Sequence, residues 1–335
     1  MGGMKSVYAL VGLLALTMIG CSGGVQSDAP VAEVEDDGVF SVALLTPGPI
    51  SDSGWNAMAY DGLVAIEDEL GATVQNTEVK AAQIRDAMRS YAQKDFELVI
   101  GHGYEFNEPG TELSSDFTNT VFVSSSGGMT SENSGTFRFY LEQGFYLAGY
   151  VAGKMTETDT IALIGFNSIP SIKSTFRGFI AGAKAANPDI KIIEPNMSLD
   201  ADAAAIKQQT LAAIDEGADF VIHQANEKAQ AVFDACKERG VYAFGANANQ
   251  NSNPSGAVLA SAVIIAKPAY VALAKDVQAG TYKGHVEPMG MKDGTIDLVF
   301  NLDMLDKLPN GLADEIEALK EQIKSGELVV PKDEF

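Results

Sequence analysis

The sequence predicts an α/β protein made of two doubly wound, Rossmann-like lobes joined by a hinge. Three observations carry that expectation. From Phe40 onward one unit repeats: a short apolar run, a turn rich in Gly, Asn or Ser, then an amphipathic stretch of helical period. The apolar runs are continuous, which suits parallel strands covered on both faces. With 335 residues, 46% of them hydrophobic, the chain has the length and the apolar content for two domains.

In chain order the strand candidates are VALLTP near 42, ATVQNTEV near 72, FELVIGH near 96 and TVFVSSS near 120, then TIALIGF near 160 and IKIIEP near 190. They continue with DFVIHQ near 219, VYAFGAN near 241, GAVLASAV near 256 and TIDLVFN near 295. Helical stretches include 56–70, 81–93, 142–155, 172–186, 202–216, 227–239 and 267–279. Each lies where a right-handed crossover between parallel strands needs one. Ten strands are too many for one tidy open sheet, and the pattern breaks at the Gly/Ser/Thr stretch 124–136. The expected division is therefore 39–128 plus 258–292 for lobe 1 and 129–257 plus 293–330 for lobe 2. Hinge strands are expected near 124–136, 257–262 and 298–302.

The N-terminus has the order of a secretory signal. Lys5 is the only charged residue before position 28, and an uncharged run from 6 to 20 follows it. That run is short for a membrane span. Its end, Met18-Ile19-Gly20-Cys21, resembles the lipobox of bacterial lipoproteins. The resemblance implies a signal peptide over 1–20, a lipid on the thiol of Cys21, and a mature chain held at a membrane on its periplasmic or exterior side. Residues 21–38 then read as a flexible tether, rich in Ser, Gly, Ala and acidic groups. With Cys21 acylated, Cys236 has no disulfide partner; its place on the apolar side of a helix marks a buried thiol.

Charge excludes some functions. Forty-five Asp and Glu against 23 Lys and Arg give a net −22, a surface that repels phosphate backbones, so no nucleic-acid partner is expected. Three His and two Cys supply metal and haem sites poorly, and neither a metal nor a cofactor is expected.

Open α/β sheets take ligands beyond the carboxyl ends of their strands, and in a two-lobe protein those ends face each other. The first tip carries Asp52, Trp55 and Asn56: an acceptor, the chain's single indole and an amide fork. From the indole alone, packing into the core and facing a ligand are equally compatible. The third tip offers His102, Tyr104 and Glu105, and the fourth offers hydroxyls at Ser124, Ser125 and Ser126. Phe139 at the crossing between lobes and Phe166 after the fifth strand are candidates for a second aromatic wall. Phe145, Tyr146 and Tyr150 fit a core-facing helix stripe. His223, Gln224 and Asn226, then Asn247, Asn249 and Gln250, complete the tips. The chain contains no G-x-S-x-G, no G-x-x-x-x-G-K-[ST] and no H-E-x-x-H, and no catalytic constellation emerges.

Three blocks, in order and at similar spacing, resemble the basic membrane protein (BMP) family of lipoproteins. Asp52-Ser53-Gly54-Trp55-Asn56 is similar to that family's D-K-x-F-N, with Trp for Phe and Ser for Lys. Tyr146-Leu147-Ala148-Gly149-Tyr150-Val151-Ala152 matches its Y-L-A-G-Y-x-A. Gly245-Ala246-Asn247-Ala248-Asn249-Gln250 matches G-x-D-x-D-Q with both Asp replaced by Asn. The family comprises substrate-binding components of ABC importers, purine nucleoside receptors among them. The resemblance implies a type I periplasmic-binding-protein-like fold, no enzymatic activity, and permease and ATPase subunits as partners. It also implies a purine nucleobase or nucleoside held between the lobes. By position, Trp55 would stack, Asp52 and Asn56 would hydrogen-bond, and Asn247 would replace a ligand-binding Asp. A family Lys falls near Ile264, so one charge of each sign is missing here. Riboflavin or another heteroaromatic vitamin is the competing cargo, and presentation of the ligand to a sensor protein is the competing role.

Overall fold

The computed structural model describes residues 38–333, apart from 53 and 167, and these belong to one compact unit. The expected signal peptide, Cys21 and the tether up to 37 lie outside the described residues. Two six-stranded sheets organise the rest. The first contains β1 (Ser41–Thr46), β2 (Thr73–Glu78), β3 (Leu98–Gly101), β4 (Val121–Ser124), β5 (Ser134–Phe139) and β11 (Val286–Met289), in the order β11-β5-β4-β3-β1-β2. Every pairing in it is parallel. The second contains β6 (Thr160–Gly165), β7 (Lys191–Ile193), β8 (Phe220–Gln224), β9 (Tyr242–Asn247), β10 (Val258–Ile264) and β12 (Ile296–Phe300), in the order β12-β10-β9-β8-β6-β7. Only β12 runs antiparallel to its neighbour.

Helices α1 (Trp55–Leu70), α2 (Ile84–Ala92) and α3 (Asn107–Ser114) link the strands of the first sheet. Helices α5 (Pro170–Ala186), α6 (Ala203–Asp215) and α7 (Ala229–Arg239) do the same in the second. The central strands are apolar throughout because layers cover both faces: every residue of β1, β6 and β8 is buried. The edge strands β2 and β7 are half exposed. In each sheet the chain winds first one way and then the other. Its direction reverses between β1 and β3 in the first sheet and between β6 and β8 in the second.

The chain passes between the sheets three times. It goes from β5 into α4 (Glu142–Met155) through 140–141, and from β10 into α8 (Lys267–Gln278) through 265–266. It returns from β11 to β12 through 290–295, and α9 (Leu312–Ser325) follows. These are not the expected hinge segments. β5 hydrogen-bonds into the first sheet, although 129–257 was expected in lobe 2. β10 lies in the second sheet, although 258–292 was expected in lobe 1.

The physical reason for the first difference is legible at Gly135, in the stretch that looked like a linker. A side chain there would run into the Tyr282 hydroxyl and the His285 carbonyl, so glycine is what lets β11 approach β5. β11 itself escaped recognition because Pro288 interrupts it, a residue tolerated only at a sheet edge.

Close backbone approach also fixes α4 against α5. A side chain at Gly149 would strike the Phe179 carbonyl, and one at Gly182 would strike the Tyr146 carbonyl. Phe145 and Tyr146 of this pair are buried, as the helix stripe implied. Gly149→Ala or Gly182→Ala should therefore destabilise the protein by about 1–3 kcal/mol through overpacking. Urea unfolding checks this; an unchanged midpoint would mean that the helices separate without strain.

Candidate functional site

A cavity of about 230 Å³ lies where the carboxyl ends of the two sheets meet. Its walls come from both reversal points: Pro47 and Trp55 after β1 with Tyr104 and Glu105 after β3, and Ile169 and Ile172 after β6 with Gln224 and Asn226 at the end of β8. Strand order thus predicts the position of the cavity, because helices depart to opposite faces there and leave a crevice.

Trp55 is the first residue of α1 and is half buried. One face of its indole stacks on His102, with ring centroids 4.0 Å apart and planes 27° from parallel. His102 is fully buried. Its Nε2–H donates to the Trp55 carbonyl at 2.8 Å, and its Nδ1 accepts from the Tyr270 hydroxyl of α8 at 3.3 Å. Burial lowers the His102 pKa to about 3, the bond to Trp55 opposing it, so the ring is neutral at physiological pH. The imidazole therefore buttresses one face of the indole, and Trp55 also forms part of the cavity wall.

The loop before α1 is held by Asp52. Its carboxylate accepts from the backbone N–H groups of Gly54, Asn56 and Ala57 and from the Asn56 amide, at 2.9–3.0 Å. Those bonds cap an α1 terminus whose own N-cap, Gly54, has no side chain to offer. Asp52 and Asn56, expected at the ligand, are therefore turned to one another and to the helix, outside the cavity wall. Phe166 is also outside that wall; it is buried, with the Lys228 ammonium 5.4 Å over its ring. Trp55, Tyr104, Ser125, Phe139, Asn226 and Asn247 do line the cavity. Tyr104 is half exposed at the rim, whereas the buried Ser125 Oγ has no hydrogen-bond partner among the described residues.

The second sheet supplies amides. Gln224, Asn226 and Asn247 line the wall beside the apolar Ile264. Behind them, His223 Nε2–H donates to Gln250 Oε1 at 3.0 Å while its Nδ1 accepts from the Ala225 N–H at 3.3 Å. Burial brings the His223 pKa to about 4, the Gln250 bond opposing it. Both buried histidines thus spend both nitrogens on internal bonds, which leaves neither to exchange a proton with a bound molecule.

Arg138 and Thr175 also line the cavity and had no place in the sequence expectation. Arg138, at the end of β5, donates to Glu142 Oε1 at 2.6 Å and to the carbonyls of Phe139 at 2.8 Å and Asp333 at 3.2 Å. Glu142 also accepts from Ser174 of α5. The ion pair has side-chain exposures of 7% and 1%, so the charge it brings to the cavity is compensated. The pair spans a crossing between the sheets, from the end of β5 to the first residue of α4.

A cleft between two doubly wound sheets, walled by an indole and uncharged amides, defines a solute-binding protein of the kind that closes around a small molecule. A family model described as "ABC transporter substrate-binding protein PnrA-like", Bmp, matches residues 39–334, and the chain belongs to this family. Such proteins serve ABC transporters on the outer side of the membrane. A purine-binding protein of Brucella abortus is 28% identical over 295 residues, covering 86% of this chain and 82% of that one. Basic membrane protein C of Borreliella burgdorferi is 28% identical over 316 residues, covering 88% and 89%. A solute-binding protein of Aeropyrum pernix, solved by crystallography, has the same fold, with a TM-score of 0.77 at 20% identity and coverage of 88% and 94%.

The neutral histidines make stability depend on pH. Unfolded, both rings take protons below about pH 6.5. Folded, they resist protonation down to about 3 and about 4. The contribution of these two rings should be flat above pH 7 and fall as pH drops from 6.5 towards 5, approaching about 1.4 kcal/mol per pH unit for each ring. His285 acts oppositely: its bond to Glu287 raises its pKa, so its contribution is lost as pH rises through that value. Urea titrations at pH 7.5, 6.5 and 5.5 test the sign.

Proposed function

We propose that this protein is the lipid-anchored receptor of an ABC importer and captures a purine nucleobase between its two sheets. The observation that carries the ligand class is the indole of Trp55, braced on one face by a neutral imidazole and set in the cavity wall. A planar ring system is the shape such a face accepts. Phe139, Ile172 and Ile264 add apolar wall, and Asn226, Asn247 and Ser125 add donors and acceptors suited to the edge of a heterocycle.

The cavity's charge supports an uncharged guest, since Arg138 is neutralised by Glu142 and burial raises the pKa of Glu105, disfavouring its charged form. Its size supports a compact one: about 230 Å³ is below the roughly 300–1,000 Å³ of sites for drug-sized ligands. A free base therefore fits the site better than a nucleoside or a flavin. The purine-binding relative supports the same chemistry. The guest binds to the open form, the sheets close through 140–141, 265–266 and 290–295, and the closed form docks on the permease.

Isothermal titration with adenine, guanine, hypoxanthine, xanthine, adenosine, inosine and riboflavin tests the ligand. Micromolar or tighter binding of a base supports the reading, and binding of riboflavin alone overturns it. Trp55→Ala should weaken that affinity by about 1–3 kcal/mol, the scale of one base–aromatic stack. In this reading attachment rests on Cys21 of the lipobox-like Met18-Ile19-Gly20-Cys21. Cys21→Ser should abolish incorporation of labelled palmitate and release the protein from the membrane fraction.

A further inference from the structure

We propose that Thr175, Gln224 and Asn247 form a one-way hydrogen-bond relay that presents the Asn247 carbonyl to the cavity, so that the site selects ligands with a ring N–H donor at the β9 tip. The inference rests on the cavity being the ligand site and deepens that reading. All three residues line the cavity and are 4–5% exposed.

The direction of the relay follows from its anchored end. The Thr175 hydroxyl lies 2.8 Å from the Ile172 carbonyl, a group that can only accept, so the hydroxyl proton is committed there. Thr175 Oγ1 can then only accept from Gln224, at 3.3 Å, which makes the contacting Gln224 atom Nε2. Gln224 must consequently offer Oε1 to Asn247, which donates through Nδ2 at 3.4 Å. With Nδ2 turned to Gln224, Oδ1 is the Asn247 acceptor left for a ligand. Reversing any one amide would set two donors or two acceptors against each other among residues that are only 4–5% exposed.

Two further features hold the relay rigid. Asn247 has φ +68°, a left-handed conformation that a branched residue would not hold and that fixes the exit of its side chain. Gln224 is pinned from β6: a side chain at Gly165 would meet the Gln224 Cβ and carbonyl oxygen, each 2.9 Å away, so the two strand tips are in direct contact. Thr175 and Gln224 are thus positioning residues, and Asn247 is the group that meets the ligand.

Side-chain amide NMR of the ¹⁵N-labelled, ligand-free protein reads the orientation without reference to any ligand. Thr175→Val should shift the NH2 signals of both Gln224 and Asn247, and Thr175→Ser should leave them near their wild-type positions. Shifts that stop at Gln224 would overturn the relay. Affinity for xanthine and for 1-, 3- and 7-methylxanthine reads the selection. At least one N-methyl isomer should bind tenfold or more weakly than xanthine, and Thr175→Val should shrink that ratio at least threefold while Thr175→Ser restores it. A purely steric rejection of the methyl group would not respond to Thr175 and would overturn the selection. Coupled amide shifts in a protein that binds no purine would uphold the relay and overturn the purine reading instead.

Discussion

A parallel strand cannot turn straight back on itself; its chain must cross over and re-enter the sheet from the same end. Everything at the site depends on that constraint, applied twice. Because the strands of each sheet run the same way, with β12 the exception, their carboxyl ends gather on one side. The reversals at β1/β3 and β6/β8 then open a crevice on each sheet, and the cavity occupies the space between the two. Polar side chains at strand tips face this space without a strand losing its own ladder bonds.

Several of the polar groups there are spent on one another. His102 and His223 are buried neutral and use their nitrogens to fasten the indole and the β8–β9 tip. Arg138 is matched by Glu142, which Ser174 also engages, while the Asp333 backbone links the end of the chain to Arg138 and to Ser174. This cluster joins β5, α4 and α5 at one of the three crossings, so a wall of the cavity and the path of the chain between the sheets share the same bonds. A binding protein that closes around its guest needs such shared elements, because the ligand can bias closure only through contacts that differ between the open and closed forms.

Much of the fold was legible because parallel strands buried on both faces leave an unmistakable apolar run. β1, β3, β6 and β8 read directly from VALLTP, FELVIGH, TIALIGF and DFVIHQ. β5 and β11 were not legible: the first begins in Ser-Gly-Thr and the second carries a proline, and both form because neighbouring strands supply the pairing. At the site, Trp55 and Asn247 could be named from their tip positions. Asp52 could be named as a functional group but not given its task, since an acid three residues before a helix serves a helix cap and a ligand equally well until the carboxylate's direction is known. Arg138 and Thr175 had no local signal, one reading as a strand residue and the other as part of a helix.

The sequence alone determined the order of most strands and helices, the family pattern in three short blocks, the polyanionic surface and the lipobox-like start; each is a local property of neighbouring residues. Tertiary structure alone decided that β5 belongs with the first sheet and β10 with the second, that three short segments carry the chain between them, and that the indole in the cavity wall is braced by a buried imidazole. The physical reason is that sheet partners and ring contacts join residues far apart in the chain, such as His102 and Tyr270, and their pairing is settled by packing the whole core rather than by any stretch of it.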